Sequence, residues 1–306
     1  MKTAGPRVSA VIVNFNRPDD TIECVRSLLA SGYPDLTVLL IDNGSTDDSL
    51  AKLRRELPAV EVHETGRNLG FTGGNNFGFE KLRQDLPEYV LLLNNDTVVE
   101  EGFLAPLVAA LEHDSTIAAA GGTVCYYPEK ERVWYAGGRF TFWRGSAFAP
   151  AYRQPYDALP PDAVSGVTFI TGCLMLLRSE ALLQTGFLDD RFCMYLEDAE
   201  LSLRLLRAGH RLVYVRGSRI YHKVHHAGNK PLPLYFSVRN RLLILDLYFS
   251  GWRRLVGTLY VLMTTSAKMI LWWFARKDLF RAGAWGIEDY FKSNFGEGRG
   301  FTVHAT

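Results

Sequence analysis

Net charge is almost absent from this chain: 34 basic and 33 acidic residues leave +1 over 306 positions. Bulk electrostatic attraction to nucleic acid is excluded by that balance, so no nucleic-acid partner is expected. Cysteine is also scarce. Cys24, Cys125, Cys173 and Cys193 form no Cys-x-x-Cys pair. Neither a disulfide framework nor a zinc site is therefore expected, and a reducing compartment fits. The opening residues, Met1-Lys2-Thr3-Ala4-Gly5-Pro6, lack the apolar core of a signal peptide, which favours a cytoplasmic location. The glycine-rich phosphate turn Gly-x-Gly-x-x-Gly is missing after the first strand-like run, which argues against an NAD-type dehydrogenase. Repeats and low-complexity segments are missing too.

What is present is core-building sequence, 47% hydrophobic, enough for one large domain or two modest ones. Residues 8–16, 36–42 and 89–93 are apolar runs of strand length, suited to strands buried on both faces of a parallel sheet. A shorter run covers 60–63. Between them, 18–29 has a helical pattern behind Pro18 and Asp19-Asp20. Asp47 or Asp48 is placed to cap a second helix, and the Gly- and Asn-rich stretch 66–78 leads into a third that ends near Arg83. This alternation predicts an α/β fold, a Rossmann-like, mainly parallel sheet flanked by helices. After Gly121 the composition changes. Residues 121–170 read as loops and short strands covering a site, 167–177 and 211–215 as strands, and 199–207 as an amphipathic helix ending at Gly209. From 234 onward the chain reads as helical.

Polar side chains gather where the strands end, and ligands of such sheets bind outside the carboxyl ends of the strands. Asn14 and Asn16 follow the first run and Asp42-Asn43 the second, where a carboxylate can accept from a ribose or base. Asn94-Asn95-Asp96 follows the third, placing Asp96 to hold a divalent cation against phosphates; an Asx-type turn is the plainer alternative. Residues 187–200 cluster acids around a helix start. They read either as an ordinary N-terminus favoured by the helix dipole or as a carboxylate poised as general base. His222, ending another apolar stretch, is a structural histidine or, beside Asp96, a metal ligand. Between 201 and 254, eleven Lys/Arg face a single acid, Asp246. That excess suits a phosphate-bearing ligand, an anionic membrane surface or plain solvated charge.

In order and spacing these pieces resemble the large family 2 of inverting GT-A-fold glycosyltransferases, especially its bacterial rhamnosyltransferase-like branch. The likeness covers 7–250 and includes Asn68-Leu69-Gly70-Phe71, Gly172-Cys173, Glu197-Asp198 and Arg239-Asn240-Arg241. The resemblance implies that Asn14, Asn16, Asp42 and Asn43 hold the nucleotide, with Asn68, Gly70 and Phe71 over nucleotide and sugar. The family's Asp-x-Asp motif is matched by Asn94-Asn95-Asp96, which keeps one carboxylate, and an amide is a weaker ligand for a hard cation. Asp96 is thus assigned to the metal, Mg²⁺ or Mn²⁺, and Asn94 and Asn95 to the donor. Asp198 matches the family's base, Gly172, Cys173 and Glu197 fall on the acceptor side, and His222 matches a downstream metal ligand, with His225 and His226 as competitors. The implied activity is a single displacement from a nucleotide sugar to a cell-surface glycan or lipid-linked acceptor. dTDP-rhamnose is the preferred donor and a UDP sugar of galactosyl type the alternative. A nucleotidyltransferase lacks support because Asn14-Phe15-Asn16-Arg17-Pro18 is no Gly-rich basic loop. A non-catalytic sugar-nucleotide or carbohydrate-binding protein is disfavoured by the retention of both Asp96 and Asp198.

The expected layout is a GT-A domain over 1–250, with a nucleotide-binding half (1–120) and an acceptor and catalytic half (121–250), then a helical C-terminal extension over 251–306. Within it, 255–275 is apolar enough to suggest a membrane span, although Lys268 at its centre costs about 2.5–3.5 kcal/mol on insertion scales. An apolar stripe with Trp272, Trp273 and basic neighbours suits a helix lying in the membrane interface. A core or homodimer-contact helix and a true span are the alternatives. Peripheral membrane contact through 251–280, at the inner face of the plasma membrane, would suit a lipid-linked acceptor.

Overall fold

Apolar runs without polar alternation need helices on both sides, and that is how they lie in this computed structural model, which describes residues 5–161, 164–224 and 230–300. The first half reads β1 (Val8–Asn14), α1 (Pro18–Leu29), β2 (Leu36–Asp42), α2 (Ser49–Glu56), β3 (Val62–Glu64), α3 (Gly70–Leu82), β4 (Tyr89–Leu93), β5 (Thr97–Val99) and α4 (Leu104–His113). Then come β6 (Ile117–Tyr126), β7 (Val133–Tyr135), β8 (Arg139–Thr141), β9 (Ser146–Phe148), β10 (Val164–Gly166), β11 (Leu174–Arg178) and α5 (Ser179–Thr185). The chain finishes with α6 (Glu197–Arg207), β12 (Arg211–His222), α7 (Pro231–Tyr248), α8 (Gly251–Ala275) and α9 (Lys277–Phe291).

The main sheet has the order β10-β12-β6-β11-β4-β1-β2-β3, with β5 on β12 and β7 on β6. Strands β3, β2, β1 and β4 are parallel, β11 lies antiparallel between β4 and β6, and β6 and β12 are parallel to each other. This is the expected α/β architecture, with a mixed second half. Every residue of β4 is buried. Tyr89, Leu91 and Leu93 enter the cluster on one face, and Val90 and Leu92 the cluster on the other. That explains a strand with no polar alternation.

The structure departs from the sequence reading in the middle of the chain. Residues 117–126, partly read as loop, form the buried strand β6. Its Ala-Ala-Ala-Gly-Gly stretch has weak strand propensity but is dictated by close packing. A Cβ on Gly121 would sit 2.5 Å from Ile170 Cγ2, and one on Gly122 2.5 Å from Ser218 Oγ. The strand expected over 167–177 is confined to β11; 167–173 leaves the ladder and carries Gly172 and Cys173 toward the carboxyl ends of the parallel strands. The strand expected over 211–215 continues past an irregularity between Val215 and Arg219 to His222.

Helices α7 to α9 pack against one another at the C-terminal end. By length and composition α8 is apolar enough to cross a membrane, and only 17% of its most apolar window is buried. Trp252, Leu255, Leu259, Met263, Ile270, Trp273 and Phe274 are exposed along it.

Because β4 is sealed on both faces, Leu92→Ala is expected to cost about 2–5 kcal/mol of stability through lost transfer energy and a residual cavity. Urea denaturation measures this, and a loss well under about 1 kcal/mol would contradict the two-sided burial.

Candidate active site

The first corner of the site is a buried polar network where β1, β2 and β4 end. Asn14, fully buried, donates to Asp42 Oδ1 at 2.9 Å and to Ser45 Oγ at 3.1 Å, and accepts from Thr21 Oγ1 at 2.8 Å. Asn95 donates to the same Thr21 oxygen at 2.9 Å. Asp42 also accepts from Ser45 N and Oγ at 3.1 and 2.6 Å. A buried carboxylate and two amides are thereby satisfied within the protein, as burial demands. Asn16, exposed and at φ +53°, joins the rim by accepting from Thr46 N at 2.8 Å.

Asn43 shapes the next wall. Its amide donates to Gly70 O at 2.9 Å and its oxygen accepts from Leu69 N at 3.0 Å, while Asn68 Oδ1 accepts from Gly70 N at 2.8 Å. These bonds hold the turn that starts α3. Gly70 has φ +73°, and a Cβ there would lie 2.5 Å from Cys193 Sγ, so both conformation and space require glycine. Asn43, Asn68, Gly70, Phe71, Asn94, Asn95 and Asp96 line one cavity of ≈190 Å³. A larger cavity of ≈700 Å³ follows the outer side of α3, lined by residues such as Phe77, Glu80 and Phe187, and none of the polar strand ends reaches it. Chemistry therefore favours the smaller one.

Asp96 and His222 form the second corner. His222 Nε2 is 3.0 Å from Asp96 Oδ1, but the alignment is not that of a hydrogen bond. Asp96 Oδ1 and the neighbouring Asn94 Oδ1 are buried without a donor. Such orphaned oxygens suit a cation. A carboxylate and an imidazole beside a diphosphate's own oxygens make a donor set that Mg²⁺ or Mn²⁺ accepts. Among the described residues no group of three or more His, Cys, Asp and Glu could hold a metal by itself; His225 and His226 lie outside the described residues. Burial disfavours a charged His222 ring, yet the Cys173 sulfur and the Asp96 carboxylate outweigh it and hold its pKa up at about 10. The edge of Trp134 packs against the ring, centroids 4.8 Å apart.

Glu197 and Asp198 open α6 and form the third corner. Asp198 Oδ2 accepts from Gly172 N at 3.0 Å and Oδ1 from Ala199 N at 2.8 Å. Burial pushes the Asp198 pKa up while these N–H groups pull it back. Glu197 is buried, its Oε2 has no partner, and burial plus the adjacent Asp198 charge carry its pKa well above the usual carboxylate range. The two carboxyls therefore differ: the N–H donors at the helix N-terminus favour the charged form of Asp198, and Glu197 has none to set against its burial. Cys173, buried beside His222, joins the corners, since Asn94 N donates to Cys173 O at 3.2 Å. A Cβ on Gly172 would meet Asp198 Cβ and the Phe71 ring at 3.5 Å.

Sequence reasoning assigned no role to Thr21, Ser45 or Trp134, which stand in helix, loop and strand with no local signal. Arg239-Asn240 entered only as part of the resemblance, and both are fully buried against the turn that precedes α6.

An α/β sheet whose carboxyl ends gather amides and the Asp96 carboxylate around a cavity is the framework of a nucleotide-handling enzyme. The Glycosyl transferase family 2 model matches residues 9–185, and the chain belongs to that family. It is a glycosyltransferase. It is 30% identical over 247 residues to the N-acetylglucosaminyl-diphospho-decaprenol L-rhamnosyltransferase of Mycobacterium tuberculosis, covering 74% of this chain and 79% of the relative. With the rhamnosyltransferase WbbL of Escherichia coli K12 it shares 24% identity over 223 residues, 65% of this chain and 83% of that one. Among solved structures, GalNAc-T7 with UDP, GalNAc and Mn²⁺ superposes with a TM-score of 0.64 at 20% identity, over 80% of this chain and 48% of that chain. The chain thus spans about half the length of that neighbour, which supports the GT-A-like fold.

The His222 pair has a consequence for stability. The folded pKa, about 10, exceeds the ordinary 6.5, so the pair's contribution is complete below pH 6.5 and is lost as pH rises toward 10. The stability difference between the wild type and His222→Gln is expected to shrink across that window in denaturation at stepped pH. A difference independent of pH would refute the charged pair.

Proposed function

We propose that the protein is an inverting, metal-assisted glycosyltransferase that moves L-rhamnose from dTDP-rhamnose to a cell-surface glycan or lipid-linked acceptor. The observation that carries this reading is the placement of Asp198, whose carboxylate accepts from the Gly172 and Ala199 N–H groups close to Phe71, with Glu197 beside it pushed well above the usual carboxylate range by burial. Two carboxyls driven apart in this way divide the work of acid–base chemistry. Asp198 is the base, taking the acceptor hydroxyl's proton as that oxygen attacks the anomeric carbon from the face opposite the leaving diphosphate. The configuration inverts. Neutral Glu197 donates a hydrogen bond on the acceptor side, beside Gly172 and Cys173.

Asn14, Asn16, Asp42 and Asn43 set the floor and rim for the nucleotide, Asn68, Gly70 and Phe71 cover it, and Asn94 and Asn95 position it. Asp96 and His222 would hold a divalent cation, which supplies charge neutralisation at the leaving diphosphate. The relatives' names support rhamnose. The mycobacterial relative's lipid diphosphate acceptor supports a lipid-linked substrate, and a GT-A domain over 1–250 would meet it through the extension 251–306. The exposed apolar side of α8, with Trp252 and Trp273 among Arg253, Arg254, Lys268, Arg276 and Lys277, supports an interfacial helix at the inner face of the plasma membrane.

Asp198→Asn keeps the size and loses the base. Turnover is expected to fall by roughly 10²–10⁴ with nucleotide-sugar binding retained, as measured by product formation and calorimetry. Near-normal turnover would remove Asp198 from the mechanism. In flotation with vesicles containing anionic lipid, the wild type is expected to rise with the liposomes, and Leu259→Glu with Ile270→Glu to stay below. Equal flotation of both would discard α8 as the contact.

A further inference from the structure

The turn leading into α6 is conformationally costly. Cys193, Tyr195 and Leu196 have φ of +61°, +66° and +70°, and no side chain caps the helix they introduce. Non-glycine residues remain in that region only where the surroundings impose it. Two adjacent residues of α7 impose it here. The Asn240 amide nitrogen lies 2.9, 3.0 and 2.7 Å from the carbonyl oxygens of Phe192, Met194 and Tyr195. Arg239 donates through Nη2 to the Arg191 and Phe192 carbonyls at 3.0 and 3.1 Å, and through Nη1 to the Gly296 carbonyl at 2.8 Å. Its Nε donates to Asn240 Oδ1 at 3.0 Å, which fixes the way the amide faces. Both side chains are fully buried.

The held turn touches both sides of the site. Cys193 O accepts from Thr72 N at the start of α3 at 2.9 Å, next to Gly70 and Phe71. Its other end delivers Glu197 and Asp198. We propose that Arg239 and Asn240 are positioning residues for sugar transfer: they keep Asp198 in register with the 68–71 turn that covers the donor. The inference rests on the transferase reading with Asp198 as base. It also makes the segment after α9 part of the machinery, because Gly296 completes the shell of Arg239.

The test compares Asn240→Ser, Arg239→Lys and Arg239→Met with Asp246→Asn, which breaks the ion pair that α7 makes with Arg254 of α8 without touching Arg239 or the turn. Asn240→Ser is expected to lower kcat by about tenfold or more while the donor KM stays within about twofold. Hydrogen exchange over 189–198 should rise by about tenfold with β4 unchanged. Arg239→Lys should recover part of the kcat that Arg239→Met loses. If Asn240→Ser does not fold, the two Arg239 variants carry the same comparison. The proposal is overturned if exchange over 189–198 does not change, if it rises with kcat intact, or if Asp246→Asn loses as much kcat as Asn240→Ser. A wild type that transfers no sugar sinks the transferase reading and the positioning role with it, while exchange at 189–198 still reports the clamp separately.

Discussion

The antiparallel direction of β11 is the constraint on which the site depends. Because β11 runs against its neighbours β4 and β6, its first residues start at the carboxyl ends of the parallel strands. Gly172 and Cys173 immediately precede it. They arrive beside Asn94, where Cys173 O takes the Asn94 N–H, and beside Asp198, where the Gly172 N–H meets the carboxylate. A parallel β11 would deliver the same residues to the opposite edge of the sheet. The strand's polarity therefore joins the Asp96 corner to the Asp198 corner, and the sheet pairing that sets it is buried in the core.

Rigidity at the ends of β1 and β2 follows from saturation. The Asn14 amide protons are taken by Asp42 and Ser45, and Asp42 is bonded on both oxygens. These residues shape the pocket more than they reach into it. On the opposite side Asn94 Oδ1 has no donor and Asp96 Oδ1 faces only the His222 ring, and a buried unsatisfied oxygen costs about 1–3 kcal/mol. On the proposed reading a cation and phosphates would complete that shell. The three left-handed residues before α6 are comparable, at about 1–3 kcal/mol each, and the carbonyls that bond to Asn240 and Arg239 offset it.

Much of this was legible in the residues. The runs at 8–14, 36–42 and 89–93 are strands because continuous apolar sequence of that length suits burial on both faces, and their polar ends do collect at one edge of the sheet. The strand β6 was hidden because its small residues, Ala118-Ala119-Ala120-Gly121-Gly122, answer to contacts such as those of the two glycines with Ile170 and Ser218, far off in sequence. Propensity does not record such contacts. Thr21 and Ser45 were given no role for the same reason, and Arg239-Asn240 entered only through the resemblance, without a role. Their partners are backbone groups and side chains brought near by topology.

The lone carboxylate of Asn94-Asn95-Asp96 acquires a physical rationale from its neighbours. A second acid beside Asp96 would add negative charge at a sheet edge that already carries the Asp42 and Asp198 carboxyls. Like charges at short range raise one another's pKa and waste the ligand they were meant to supply. Asparagine at 94 and 95 avoids that repulsion. Asn95 instead ties the loop to Thr21 and hence to the Asn14–Asp42 floor. On the proposed reading His222 would provide the second ligand from a different strand, neutral once its proton is displaced. Cation binding in such a site is strongest when a diphosphate brings its own oxygens, so metal and donor are expected to be held together, with the metal corner incomplete until the donor fills it.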